Sequence, residues 1–183
     1  MKKLGKIILA LLVIACAIRS LNVLAAPPTE YEVKAAFIHN VTKYTEWPSV
    51  PAYTANTLRL CVIGQNPFGI ALDTLKNKKV GGMAWEIVPV GSVTSPKECR
   101  VLFIAVSESG NLRQILDGIK GSTVLTIGDT EGYAEQGVMV NFYLEDEMVR
   151  IEVNTDAAKR AGLNISSQLL KLARIVNQRG GMP

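Results

Sequence analysis

The sequence predicts one α/β domain: a mostly parallel central sheet with helices on both faces and a C-terminal β-hairpin. Three observations carry that expectation. Between residues 58 and 127, short apolar runs alternate with segments of helical period, the pattern of a sheet built from strand–helix units. From Val138 to Val153 the apolar residues fall at every second position on either side of Glu145-Asp146-Glu147, which marks an antiparallel hairpin. Ahead of both stands residues 1–25, a segment of different character that reads as a targeting signal.

That leader has three parts. Lys2, Lys3 and Lys6 make a positive start, and Ile7 to Ile18 is an apolar run interrupted by Cys16. Val23-Leu24-Ala25 is the small-residue pattern that a signal peptidase cuts after Ala25. The run is short for a bilayer span, so export with removal of the leader is expected ahead of a retained anchor or a buried helix. A competing reading takes Val13-Ile14-Ala15-Cys16 as a lipobox, which makes Cys16 the lipidated N-terminus of a membrane-anchored lipoprotein. The organisation expected is a signal peptide over 1–25 and one domain over 26–183.

Removing the leader changes the charge. The chain carries 20 Lys and Arg against 16 Asp and Glu, a formal +4. Four of the basic residues (Lys2, Lys3, Lys6, Arg19) and none of the acidic ones lie in the leader, so the rest balances at 16 against 16. The electrostatic footprint of a nucleic-acid-binding protein disappears with them. Two cysteines remain, Cys61 and Cys99. In an oxidising compartment an even pair reads as a disulfide, and closing a loop of that length removes about 4 kcal/mol of unfolded-state entropy. Two buried free thiols are the alternative.

Along the domain, Thr29 followed three residues on by Glu32 forms a capping box, and Val33, Phe37, Val41 and Tyr44 recur at helical spacing up to Trp47-Pro48. After a polar loop over 49–57, Leu58 to Ile63 reads as a buried strand ended by Gly64. Asn66-Pro67 supplies an N-cap and a first-turn proline for a helix with Phe68, Leu72 and Leu75 inside. Val80 to Val90, Val101 to Val106 and Val124 to Ile127 read as further strands, with a helix through Leu112, Ile115, Leu116 and Ile119 between the last two. After the hairpin, Asn154 caps a short helix ended by Gly162. A last amphipathic helix is expected through Ile165, Leu169, Leu172, Ala173 and Val176.

Enzyme chemistry has little to build on. His39 is the single histidine and falls inside the first helix. No Cys/His cluster has metal spacing, no phosphate-binding glycine loop is present, and no G-x-S-x-G occurs. Neither a catalyst nor a cofactor is expected. The most suggestive polar stretch is Asn164 to Gln168, with Asn164, Ser166 and Ser167 at the start of the expected last helix, where free N–H groups favour an anion. Arg150 and Glu152 on the preceding strand are candidates for the same ligand- or partner-binding region. The plainer reading is that Asn164 or Ser166 only caps the helix.

Several stretches together resemble YfiR-type periplasmic proteins. They are Glu30 to Ile38 running to Thr45-Glu46-Trp47-Pro48, Leu60-Cys61-Val62-Ile63-Gly64, Cys99 to Ile104, and Val149 to Asn154. The tail adds Ala157-Ala158, Ala161-Gly162-Leu163 and Ser166-Ser167-Gln168-Leu169-Leu170-Lys171-Leu172-Ala173. The resemblance covers residues 30–176 and implies a periplasmic regulator. It implies binding to, and repression of, the periplasmic sensor domain of an inner-membrane diguanylate cyclase, with consequences for cyclic-di-GMP and biofilm. It also implies release by an OmpA-like outer-membrane lipoprotein, and a homodimer by analogy. Cys61 and Cys99 match one cysteine pair of the family. The second pair that other members carry has no counterpart around Gly132 to Val138, which puts a redox response through that bridge in doubt. The alternative function is a periplasmic small-molecule-binding module with a pocket near Arg150, Glu152 and Asn164 to Ser167.

Overall fold

The computed structural model describes residues 27–48, 57–88 and 95–177. The expected leader, with Ala25 and Cys16, lies outside them. In chain order the described strands are β1 (Thr45–Glu46), β2 (Thr57–Ile63), β3 (Lys79–Val80), β4 (Met83–Val88), β5 (Val101–Ile104), β6 (Leu125–Gly128), β7 (Val140–Glu145), β8 (Met148–Val153), β9 (Asn164–Ile165) and β10 (Arg174–Ile175). The α-helices are α1 (Glu30–Lys43), α2 (Leu112–Gly118), α3 (Thr155–Arg160) and α4 (Ser167–Leu170).

Eight strands form one sheet in the order β10-β8-β7-β6-β5-β2-β4-β3. From β7 through β6, β5 and β2 to β4, neighbours run parallel. The hairpin strand β8 and the edge strand β3 run antiparallel to their neighbours, and β10 adds to β8 in parallel. The mostly parallel α/β sheet with a strand pair near the end is therefore what the chain adopts.

Alternation along each strand sends side chains to two faces. One face presents Leu58, Leu60, Val62, Val101, Phe103, Leu125, Ile127, Val140, Phe142, Ile151 and Val153, which pack with Ala35, Ile38 and Val41 of α1. The other presents Cys61, Leu102 and Ile104 to Leu112 and Ile115 of α2 and to Tyr133. Every side chain of β5 is buried, as a central parallel strand covered on both faces requires.

Local chemistry explains where elements begin and end. The Thr29 hydroxyl accepts the Glu32 N–H at 3.3 Å, and the Glu32 carboxylate accepts the Thr29 N–H at 2.7 Å, the reciprocal cap read from the sequence. α1 stops at Tyr44 instead of continuing to Trp47-Pro48, because Thr45 and Glu46 turn out to pair antiparallel with Ile165 and Asn164. Its buried line is centred on Ala35, Ile38 and Val41, with Val33 and Phe37 at the flank.

Three expected elements take other forms. In place of the helix expected from Asn66-Pro67, Asn66 Oδ1 accepts the Phe68 N–H at 2.9 Å in a turn, and a short 3-10 helix follows over Ala71–Leu75. The strand expected over Val80 to Val90 splits into β3 and β4 at Gly81-Gly82, whose φ values of 56° and 86° make a tight hairpin turn; Pro89 and Val90 lie outside the described residues. The last helix is a single turn, α4, after which the chain straightens and β10 pairs with Glu152 and Val153 of β8. Helical spacing of Ile165, Leu169 and Leu172 suggested more, but Leu172 is 77% exposed. The open edge of β8 supplies backbone partners that a longer helix would not use.

Candidate functional site

The two cysteines of the domain are bonded to each other. Cys61 in β2 and Cys99, which leads into β5, lie with their Cα atoms 5.8 Å apart and are both buried on the α2 face. The bridge ties the central strand to the start of its neighbour, beneath Leu102, Ile104 and Ile115.

Around the carboxyl ends of the parallel strands, polar residues are gathered from distant parts of the chain. Lys34 of α1 donates to Asp129 Oδ2, just past β6, at 2.8 Å and approaches Glu30 at 2.5 Å. The Tyr31 hydroxyl donates to the same Asp129 oxygen at 3.1 Å. Burial pulls the Lys34 ammonium pKa down, but the bonds to Asp129 and Glu30 outweigh it and hold the value above the ordinary one. Burial, with Asp129 beside it, pushes the Tyr31 phenol up. Tyr31 then stacks edge-on with Phe68, and Phe68 with Phe103, so this polar cluster rests on the aromatic core.

The residues singled out in the sequence fall into two groups of contacts. Glu152 is buried, accepts Asn141 Nδ2 at 2.9 Å and is paired with Arg174 of β10. The Arg174 guanidinium lies over the Tyr143 ring at 4.2 Å. Asn141 also closes the turn after β6, accepting the Thr130 N–H at 3.2 Å and donating to the Thr130 carbonyl at 2.9 Å. Arg150, two residues before Glu152, is exposed and lies 3.5 Å from Glu145. Asn164 belongs to the small β1–β9 ribbon and donates to Glu46 at 2.9 Å. Ser166 caps α4 by accepting the Gln168 N–H at 3.2 Å, and Ser167 is the exposed first residue of that helix. The contacts of Arg150 and Glu152 thus run to the hairpin and β10, those of Asn164 and Ser166 to the segment just after α1 and to the start of α4.

Sequence reasoning missed Lys34, Asp129, Asn141 and Arg174. The available signal was a lysine one residue from the apolar stripe of an amphipathic helix. Its partner stands 95 residues away, and no local pattern reveals such a pairing.

His39 accepts the indole N–H of Trp85 on Nδ1 at 3.2 Å. Burial, with Lys78 and Lys43 nearby, holds its pKa below the ordinary value. Among the described residues no group of three or more His, Cys, Asp or Glu is placed to hold a metal ion. An open groove of about 770 Å³ runs between α2, the turn at 132–137 and α3, with Met139 and Thr126 among its walls. Glu135 Oε2 on its wall is buried without a hydrogen-bond partner among the described residues.

The turn at residues 130–138 is held to the rest of the domain by hydrogen bonds. The Tyr133 hydroxyl donates to the Ala105 carbonyl at 3.2 Å, and Asn154 Nδ2 to the Ala134 carbonyl at 2.7 Å. Gly128 makes room for this turn, since a Cβ there would overlap the Tyr133 ring.

The fold is a disulfide-clamped α/β domain whose buried Lys34, Asp129, Asn141 and Glu152 are bonded within it. The chain belongs to the YfiR/HmsC-like family, whose model matches residues 31–174. That family comprises periplasmic regulators of cyclic-di-GMP signalling, regulatory and not catalytic, that act through a periplasmic signalling partner. No helix among the described residues is long and apolar enough to cross a membrane. Among solved structures, a conserved domain protein from Vibrio cholerae O1 biovar El Tor is similar, with a TM-score of 0.55 at 11% identity. The match covers 82% of this chain and 61% of that one. An ABC domain from Streptococcus pneumoniae in complex with L-Trp gives 0.53 at 9% identity, covering 80% of this chain and 60% of that one. This chain therefore spans about three-fifths of each, and at these identities the likeness is one of fold alone.

Proposed function

We propose that this protein binds the periplasmic sensor domain of an inner-membrane diguanylate cyclase and holds the cyclase inactive. The observation that carries this reading is the family match over residues 31–174. It is supported by a domain whose buried ionic groups are engaged within the fold, Lys34 with Asp129, and Glu152 with Asn141 and Arg174. Repression would act by population shift: the bound protein stabilises the inactive arrangement of the sensor domain by its differential affinity for that state. An OmpA-like outer-membrane lipoprotein competing for this protein would relieve the repression. Export through cleavage after Ala25 belongs to the same proposal, with lipidation at Cys16 as the variant, and the mass of the mature N-terminus separates them. The test of binding is calorimetric titration of the mature protein into the purified sensor domain, together with cyclase activity in reconstituted membranes. Micromolar or tighter binding with loss of activity is expected; no heat and unchanged activity defeat the proposal.

A second reading, a small-molecule-binding module, rests on the groove beside α2 and the unpartnered Glu135 oxygen. A thermal-shift screen against polar metabolites tests it. A hit abolished by Glu135→Gln, and not by Arg150→Ala, would move the ligand site away from the residues suggested by sequence.

A further inference from the structure

Six large apolar side chains are exposed among the described residues, and four of them, Ile70, Val106, Leu144 and Met148, lie at the carboxyl end of the parallel sheet. Ile70 follows β2, Val106 follows β5, and Leu144 and Met148 flank the turn of the β7–β8 hairpin, whose β7 runs parallel to β6. Leu144 and Met148 are about half exposed and wall a groove of about 510 Å³ with Pro28, Val33 and Val149. Glu30 and Glu147 complete that wall, and no cation lines it. Beyond the groove the same end carries Glu131, Glu145 and Asp146, all exposed. The cations beside the groove are engaged: Lys34 is buried on Glu30 and Asp129, and Arg150 lies against Glu145. Asp146 and Glu147 occupy the hairpin turn at φ 50° and 61°, a conformation that glycine and asparagine adopt at lower cost.

A formally neutral domain thus concentrates at one end exposed apolar side chains and the carboxylates Glu131, Asp146 and Glu147, beyond those that Lys34 and Arg150 engage. Water-exposed apolar groups in a contiguous groove mark a contact surface, and the sign of the rim selects the occupant. An anionic lipid surface would be repelled, whereas a protein segment with Lys or Arg flanking one or two apolar side chains fits both features. We propose that the groove at the β7–β8 hairpin tip is the docking surface for a basic, apolar segment of a protein partner. This deepens the function proposed above, placing the partner at the hairpin tip.

Two measurements test it separately from that function. In the first, the sensor domain is titrated with wild type, Leu144→Glu/Met148→Glu and Leu172→Glu/Ile175→Glu, the last altering the other two exposed apolar residues. At least tenfold weakening by the first variant, with the second within twofold of wild type, is the result expected. The reverse pattern overturns the surface while leaving the function standing. In the second, a synthetic peptide of alternating lysine and leucine is added to isotope-labelled protein and amide shifts are mapped. Shifts centred on residues 144–149 and lost in 0.5 M salt support the surface whether or not the cyclase is the partner; shifts centred elsewhere overturn it. Dimerisation of wild type that Leu144→Glu abolishes would assign the groove to a second copy and also overturn the proposal.

Discussion

The two halves of the sheet are built on different terms. Around β2, β5 and β6 the sheet is packed mostly by apolar side chains, every β5 residue is buried, and a disulfide joins β2 to the lead-in of β5. Around β7, β8 and β10 one face is apolar, through Phe142, Ile151 and Val153, while the other carries Asn141, Tyr143, Arg150 and Glu152. The first half is fixed by burial, which is non-directional and tolerant of substitution by shape. The second is fixed by specific pairs between residues from separate strands. The consequence is a centre closed by packing and a hairpin half whose tip is exposed.

The sharpest way to break this contrast is to truncate a side chain in the centre. Phe103→Ala empties a fully buried position that packs against Phe68 and is expected to destabilise by about 3–5 kcal/mol in urea unfolding. A loss under 1 kcal/mol would mean that the parallel half is not the seat of stability.

Opening the bridge comes next. Cys61→Ser/Cys99→Ser, or reductant on wild type, should lower unfolding free energy by about 2–4 kcal/mol, and reductant should have no further effect on the double variant. Equal melting temperatures of wild type with and without reductant would contradict the clamp.

In the hairpin half, Arg174→Ala leaves the buried Glu152 carboxylate held by Asn141. Because Arg174 itself is half exposed, water replaces part of the pairing, and a loss of about 1–2 kcal/mol is expected. Glu152→Gln combined with Arg174→Ala should recover part of it. Full additivity of the two changes would show that the pair does not act as a unit.

The smallest effect is at His39. Its folded-state pKa lies below the ordinary 6.5, so the neutral ring is favoured in the fold. Stability is therefore unaffected by this group above pH 6.5 and falls as pH drops through that value toward the lower folded one. His39→Gln should flatten the melting temperature between pH 5 and 7, and Trp85 fluorescence should titrate in wild type but not in the variant. A melting temperature that rises on acidification through this group would contradict the sign.

The same contrast explains how much could be read from sequence. Continuous apolar runs such as Val101 to Ile104, and strict alternation from Val140 to Val153, follow from one-dimensional periodicity, so the sheet and its hairpin were legible. The Gly81-Gly82 turn is legible in principle, as a glycine pair between apolar runs, although periodicity alone joins the two runs into one strand. β10 was not legible, because the backbone edge that recruits it belongs to a strand more than twenty residues earlier. For the same reason Lys34 with Asp129, and Arg174 with Glu152, were hidden. Arg150 and Asn164, chosen for residue type and local position, have their contacts at different places in the fold.

The central claim is repression of a diguanylate cyclase through the hairpin end of this domain. It is tested most directly by cyclic-di-GMP content in cells lacking the protein and complemented with wild type, Leu172→Glu/Ile175→Glu or Leu144→Glu/Met148→Glu. A rise on deletion, reversed by the first two and not by the third at equal protein level, is the predicted result. Cyclic-di-GMP that stays unchanged on deletion would contradict the account.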